Sequence, residues 1–334
     1  MKLKPFKSIV ISLAIVGVTF VIISWGPFGH ERINKAAVLA LPEPVRTFFY
    51  NHIDFVTQES TVPDLRKYTL RDNSEKPRHF IDLENYGAAD TVPRTSELAK
   101  KKYYEKFLSS NGVLPWYIQD VMVKLTKAFK DKRKTEILFL AADLGHYIGD
   151  AHMPLHTAVN HDGLLTNQKG IHALWEARIP EMFGKDYNLH TEGATYISNI
   201  EETTWGIIND SHSLIAPLLL ADKNLRDAVG VDKMYNLDAK GTIARNKFND
   251  LIHTDEYVKK YNQALNGMVE KQLRKAIVMT SSYWYTAWVN AGKPDLSGLD
   301  TPDQTERNKE NLKSDLKLWN QGKLFGLESE KDFD

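Results

Sequence analysis

One segment constrains the chain more than any other. The run Ile137-Leu-Phe-Leu-Ala-Ala-Asp-Leu144 is strongly apolar and continues into Gly-His-Tyr-Ile-Gly-Asp150. A helix apolar on nearly every side has to be covered by other elements, so residues 134–152 predict a buried central helix. His146 and Asp150 lie one turn apart on it, which puts both side chains on one face with Cβ atoms roughly 5–6 Å apart. His156 follows just past Pro154, a residue that ends or kinks a helix. Two imidazoles and a carboxylate converging on one point make a site for a borderline metal such as zinc. A second pair with the same spacing, His172 and Glu176, stands in Gly170-Ile-His-Ala-Leu-Trp-Glu176. Either pair alone is an ordinary helix-surface contact. Two pairs bracketing a third histidine argue for a metal.

The rest of the chain predicts an all-α protein: a single multi-helix domain with no sustained β-alternation and no internal repeat. Helical spacing runs through residues 29–40, 44–50, 96–110, 115–131, 171–183, 195–221 and 255–291. Pro42 and Pro44 separate the first two, and Pro115 sits at a favourable first-turn position. Residues 51–95 carry many turn residues and read as long loops with short helical pieces. The aromatics Tyr283, Trp284, Tyr285 and Trp288 have the spacing of a packed core. Residues 296–334 read as a charged extension, poor in large apolar residues before Leu316 and so peripheral or partly mobile.

The N-terminus has the pattern of a targeting segment. Lys2, Lys4 and Lys7 form a positive region, residues 9–23 an apolar one, and small Ser24 stands at the junction. The apolar run is shorter than the roughly 20 residues of a full membrane span. Residues 1–24 therefore predict a signal peptide, and the mature protein an exported one, periplasmic or extracellular; the alternative is an uncleaved anchor. The chain has no cysteine, so it has no disulfide and any metal is held by nitrogen and oxygen. Equal numbers of basic and acidic residues, 43 each, leave no overall field for polyanions, although a local basic groove is still open.

The order of the candidate ligands carries a resemblance. Trp25-Gly-x-x-Gly-His30, Asp64, His79-Phe-x-Asp82, His146-x-x-x-Asp150-x-x-x-x-x-His156 and His172-x-x-x-Glu176 follow one another in a resemblance that spans roughly residues 25–290, within an expected domain of residues 25–295. Together they resemble the zinc-dependent superfamily that unites the S1/P1 nucleases with bacterial phospholipase C. The resemblance implies an all-helical domain with three zinc ions in a cleft. It implies Asp64, His79, His146 and Asp150 around one zinc. Asp150 would bridge to a second, held also by His30 and by the amino nitrogen and carbonyl oxygen of Trp25. His156, His172 and Glu176 would hold the third. It further implies that Asp82 orients or activates the attacking water, that Lys67 stabilises charge on the phosphate, and that Phe80 stacks on a base. The bland readings are a solvated loop lysine at Lys67 and core packing at Phe80.

The chain departs from both branches. Glu176 follows phospholipase C where the nucleases usually have Asp. Against that, Phe28 and Leu65 stand where the phospholipase choline pocket has an acid and a tyrosine, and the His30 and His79 spacings follow the nucleases. The leading expectation is therefore an exported zinc phosphodiesterase acting on single-stranded nucleic acid or nucleotides. A phospholipase C-type hydrolase of phospholipid head groups is the first alternative and a non-catalytic zinc-binding helical module the second. No segment marks an obligate protein partner. His152 is expected no closer than behind the ligands, and His52, His161, His190, His212 and His253 are expected at the surface or in packing.

Overall fold

A computed structural model of the chain describes residues 26–88, 90–230, 233–245 and 251–323. The predicted signal segment and the proposed ligand Trp25 lie outside the described residues. The helices, in chain order, are α1 (Gly26–Ala40), α2 (Val45–Tyr50), α3 (Ile53–Glu59), α4 (Val62–Tyr68), α5 (Ser96–Lys102), α6 (Glu105–Asn111), α7 (Leu114–Lys130) and α8 (Lys134–Ala151). They continue with α9 (Ile171–Ala173), α10 (Ile179–Phe183), α11 (Ile200–Ser213), α12 (Ile215–Val229), α13 (Asp255–Ala264), α14 (Met268–Asn290) and α15 (Pro302–Trp319). Among the described residues there are isolated β-bridges but no strand, so the fold is all-α as predicted.

Helix α8 is the central element. From Ile137 onward most of its side chains are buried, covered by α1, α3, α7 and α14. The aromatics of α14 serve the core. Trp284 stacks on Phe49 with ring centroids 4.9 Å apart and donates its indole N–H to the Ala141 carbonyl at 2.9 Å. Helix α1 reaches α8 through glycine: a Cβ on Gly145 would stand 1.9 Å from Asn34 Oδ1. Asn34 is buried there and donates to the Val56 and Ala142 carbonyls at 3.0 and 3.2 Å.

Three predicted helices are interrupted. The stretch 255–291 breaks between α13 and α14, where Asn266 and Gly267 take the left-handed conformation at φ 49° and 74°. The stretch 195–221 starts only at Ile200, capped by the Asn199 side chain, and breaks at Leu214. Pro217 has no N–H to offer the Ser213 carbonyl, so α11 cannot run on as one helix. The stretch 96–110 opens at Tyr103 and Tyr104, both extended, where Tyr103 stacks on Phe107 at 5.0 Å. The described part of the C-terminal extension, residues 296–323, carries helix α15 at the periphery. Thr301 caps this helix by accepting from the Gln304 N–H. It lies along α2: Tyr50 donates to Asp315 at 2.7 Å, Gln304 donates to the Asn51 carbonyl at 2.8 Å, and Trp319 is buried.

Candidate metal centre

The central helix presents His146 and Asp150 on one buried strip, as their spacing requires, and the neighbouring elements aim further ligands at it. Asp150 is wholly buried. Its carboxylate lies 2.9 Å from His79 Nδ1, 3.2 Å from His146 Nε2, 3.3 Å from His156 Nδ1 and 3.7 Å from His30 Nε2. His30 comes from α1, its ring stacked on His146 at 3.8 Å. Asp64 comes from α4 and lies 3.7 Å from His79 Nδ1. His79 ends the single helical turn Lys76–His79, and His156 sits in the turn Pro154–Thr157 that starts where Pro154 stops α8.

His156 also faces the second pair, with Nε2 3.5 Å from Glu176 Oε1. Glu176 lies 2.7 Å from His172 Nε2. The pair does not sit on a regular helix. Between α9 and α10 the chain widens into a π-turn over Leu174–Arg178, closed by the Ile179 N–H donating to the Leu174 carbonyl. Pro180 explains the widening, since it has no N–H for the Glu176 carbonyl.

Eight of the nine predicted ligands are thus brought together, and the ninth, Trp25, precedes the described residues. Three groups have ligand atoms within 4.8 Å of one another: His79, His146 and Asp150; His30, Asp64 and His146; and His156, His172 and Glu176. Their chemistry fits a cation. Asp64 Oδ1, Asp150 Oδ1, His156 Nδ1 and both Glu176 oxygens are buried without a hydrogen bond. Buried polar atoms rarely go unpartnered, and here several acceptors face one another. The tautomers agree. His146 Nδ1 donates to the Ser60 carbonyl at 2.8 Å and His172 Nδ1 to the His161 carbonyl at 3.1 Å, which leaves each Nε2 lone pair aimed inward. Burial disfavours a charged His146, but Asp150 outweighs it and pushes the imidazole up to about 9. Burial and the adjacent His146 hold His30 neutral, well below the ordinary histidine range.

The residues expected to act on substrate stand around this cluster. Lys67 Nζ is 3.8 Å from Asp64 Oδ1. Burial alone would lower its ammonium, but Tyr68, Asp64 and Asp150 outweigh burial and keep it charged. Asp82 is half-buried, and burial together with Glu84 pushes its carboxyl up to about 6. Phe80 is half-buried as well. Its ring packs against the backbone at Gly112, where a Cβ would come within 2.8 Å of Phe80 Cδ2, so both readings of Phe80 have part of the side chain to work with. His152 turns away, donating Nδ1 to the Ile148 carbonyl at 2.7 Å and lining a separate groove with Gln272 and Lys275.

One part of the site has no counterpart in the sequence reading. Glu75 is wholly buried behind His79 and is bound by Arg66, Arg78 and Tyr147. Its position in a turn-rich loop carries no spacing signal; only the i,i+4 relation to His79 hints at contact.

Comparison with known proteins identifies the family. Nuclease S1 of Aspergillus oryzae is 24% identical over 297 residues, which cover 84% of this chain and 94% of that enzyme. The model of the family described as S1/P1 nuclease matches residues 25–278. That range spans the clustered ligands from His30 to Glu176 and about three quarters of the chain, and the chain belongs to the S1/P1 nuclease family.

Proposed function

We propose that the chain is an exported zinc-dependent phosphodiesterase that cleaves single-stranded nucleic acid or nucleotides, with about three zinc ions on the nine ligands. The observation that carries this reading is the fusion of the three groups: Asp150 joins four histidines, and His156 faces Asp150 with one nitrogen and Glu176 with the other. Zinc held there lowers the pKa of water and neutralises charge growing on a phosphoryl group. Around it, Lys67 offers a permanent positive charge to a non-bridging phosphoryl oxygen. Asp82, with its raised carboxyl, accepts the proton of the attacking water or fixes that water's direction. Phe80 offers its open ring surface to a base. Trp25 contributes its α-amine once residues 1–24 have been removed, because a neutral amine binds zinc and a peptide N–H does not.

A choline-binding phospholipase is disfavoured by Phe28. Phe28 offers no carboxylate to a quaternary ammonium, and one face of its ring is already covered by Arg32, with the guanidinium carbon 3.3 Å from the centroid. The test is a substrate panel on zinc-loaded protein beginning at Trp25: single-stranded DNA, RNA, a 3′-mononucleotide and phosphatidylcholine. The nuclease reading expects cleavage of the nucleic acids. Hydrolysis of phosphatidylcholine with the nucleic acids intact would reverse it.

A further inference from the structure

The buried carboxylate behind His79 connects elements that the metal site needs to hold in register. Glu75 Oε2 accepts from Arg66 Nε and Arg78 Nη1, each at 2.9 Å. Glu75 Oε1 accepts from the Tyr147 hydroxyl. Arg66 reaches on to Asp143 at 2.7 Å and Tyr147 at 3.2 Å. Arg66 is two residues from Asp64 on α4, Tyr147 is next to His146 on α8, and Glu75 opens the turn that ends in His79. Two guanidiniums balance two carboxylates, so the network carries no net charge of its own.

The same Oε1 faces the metal ligand. His79 Nε2 is buried, forms no hydrogen bond, and has Glu75 Oε1 beside it at 3.4 Å. A bare Nε2 would set its lone pair against a carboxylate, so the carboxylate favours the tautomer with the proton on Nε2. Nδ1 faces Asp150 and His146, 2.9 and 3.0 Å away, so with a cation between Nδ1 and Asp150 that tautomer would give the cation the Nδ1 lone pair, while Glu75 faces the Nε2 proton. We infer that Glu75 is a positioning residue for the metal centre: it selects the His79 tautomer whose Nδ1 binds zinc and locks that ring through Arg66, Arg78 and Tyr147.

The inference rests on the proposed zinc reading and makes a claim of its own. Glu75→Gln keeps the shape. Arg66 and Arg78 hold the amide oxygen on their side, so the amide NH2 turns toward Tyr147 and His79. A donor facing Nε2 favours the wrong tautomer, with the proton on Nδ1. Zinc affinity, measured by competition with a chromogenic chelator, should fall about 10–100-fold, the usual loss when such a partner of a ligating histidine is removed. Tyr147→Phe takes one hydrogen bond from the same carboxylate and leaves it ionised. It should lower the melting temperature while zinc affinity stays within a few-fold of the parent. Equal zinc affinity in the parent and Glu75→Gln would overturn the inference, as would equal losses in Glu75→Gln and Tyr147→Phe. Should Glu75→Gln fail to fold, the nitrogen-15 shifts of His79 in the zinc-loaded parent decide: a proton on Nε2 supports the inference and a proton on Nδ1 overturns it. A parent that binds no zinc would refute the zinc reading itself, which is a separate result.

Discussion

Gly145→Ala sets two large effects against each other. In a helix interior alanine is favoured over glycine by roughly 1 kcal/mol, so on propensity alone the substitution stabilises α8. The packing says otherwise. The new Cβ would stand 1.9 Å from Asn34 Oδ1 and 2.8 Å from its Cγ, far inside contact distance. Asn34 cannot swing aside freely, because its amide is buried and donates to two carbonyls, Val56 at 3.0 Å and Ala142 at 3.2 Å. If the amide leaves, two buried carbonyls lose their donor, at about 1–3 kcal/mol each. If α1 retreats instead, overpacking costs about 1–3 kcal/mol, and His30, one turn before Asn34, retreats with it. Less the roughly 1 kcal/mol propensity gain, the net loss is about 1–5 kcal/mol if the amide leaves and about 0–2 kcal/mol if α1 retreats. Thermal unfolding in the presence of chelator, so that metal binding does not mask the change, should show a lower melting temperature. A raised melting temperature would refute the close approach of α1 to α8. Gly149→Ala is the comparison, since its Cβ would meet His30 Nδ1 and Ile33 Cδ1 at 3.1 Å each, contacts that a few tenths of an ångström relieve. It should be milder in stability.

Three further outcomes follow from the site and the frame. Asp150→Asn removes the charge that four histidines share, so zinc content should fall by more than one ion per chain and cleavage should be abolished; unchanged zinc by elemental analysis would remove Asp150 from the ligands. For Asp82 the ionised form is the one that takes a proton. Its raised carboxyl therefore predicts a rate that climbs with pH below about 6 and levels above it. Asp82→Asn should lower the rate and erase that limb, and a pH profile identical to the parent's would contradict the assignment. Asp300 accepts from His52 and Lys134, each at 2.8 Å, and from Asn51 at 2.9 Å. Burial opposes its charge, but these donors outweigh burial and hold the carboxyl below its ordinary range. The stability it adds is therefore present above about pH 4 and lost as pH falls through the lowered value. Asp300→Asn should cost roughly 1–3 kcal/mol at neutral pH and little in acid, read from denaturant melts at the two pH values.

The parts of this protein that could be read from sequence are those that local spacing encodes. Helix α8 announced itself because its apolar run is long, and His146 and Asp150 fall on one strip of it. The aromatics of α14 were legible as core for the same reason. The broken helices are hidden in the sequence because hydrophobic periodicity continues on both sides of the breakers Pro217 and Asn266-Gly267. The C-terminal helix α15 buries Trp319 but few other side chains. It is held by capping and by polar bonds to α2, which a search for apolar periodicity passes over. Glu75 lay further out of reach, because only Arg78 is a local partner, while Arg66 and Tyr147 come from two helices that only the folded chain brings to it. Asp143 illustrates the same limit. It stands two turns before Asp150 on α8 and looks like a neutral bystander in sequence, yet it holds Arg66 and through it the carboxylate behind His79.

The central claim is that the clustered ligands hold zinc and that the bound zinc drives phosphodiester cleavage. It is tested most directly by titrating zinc into chelator-stripped protein that begins at Trp25 while following cleavage of single-stranded DNA. The account predicts no cleavage without metal and a rate that rises with bound zinc and levels off at about three ions per chain. Full cleavage in the metal-free protein, or three bound zinc ions with no cleavage, would contradict it.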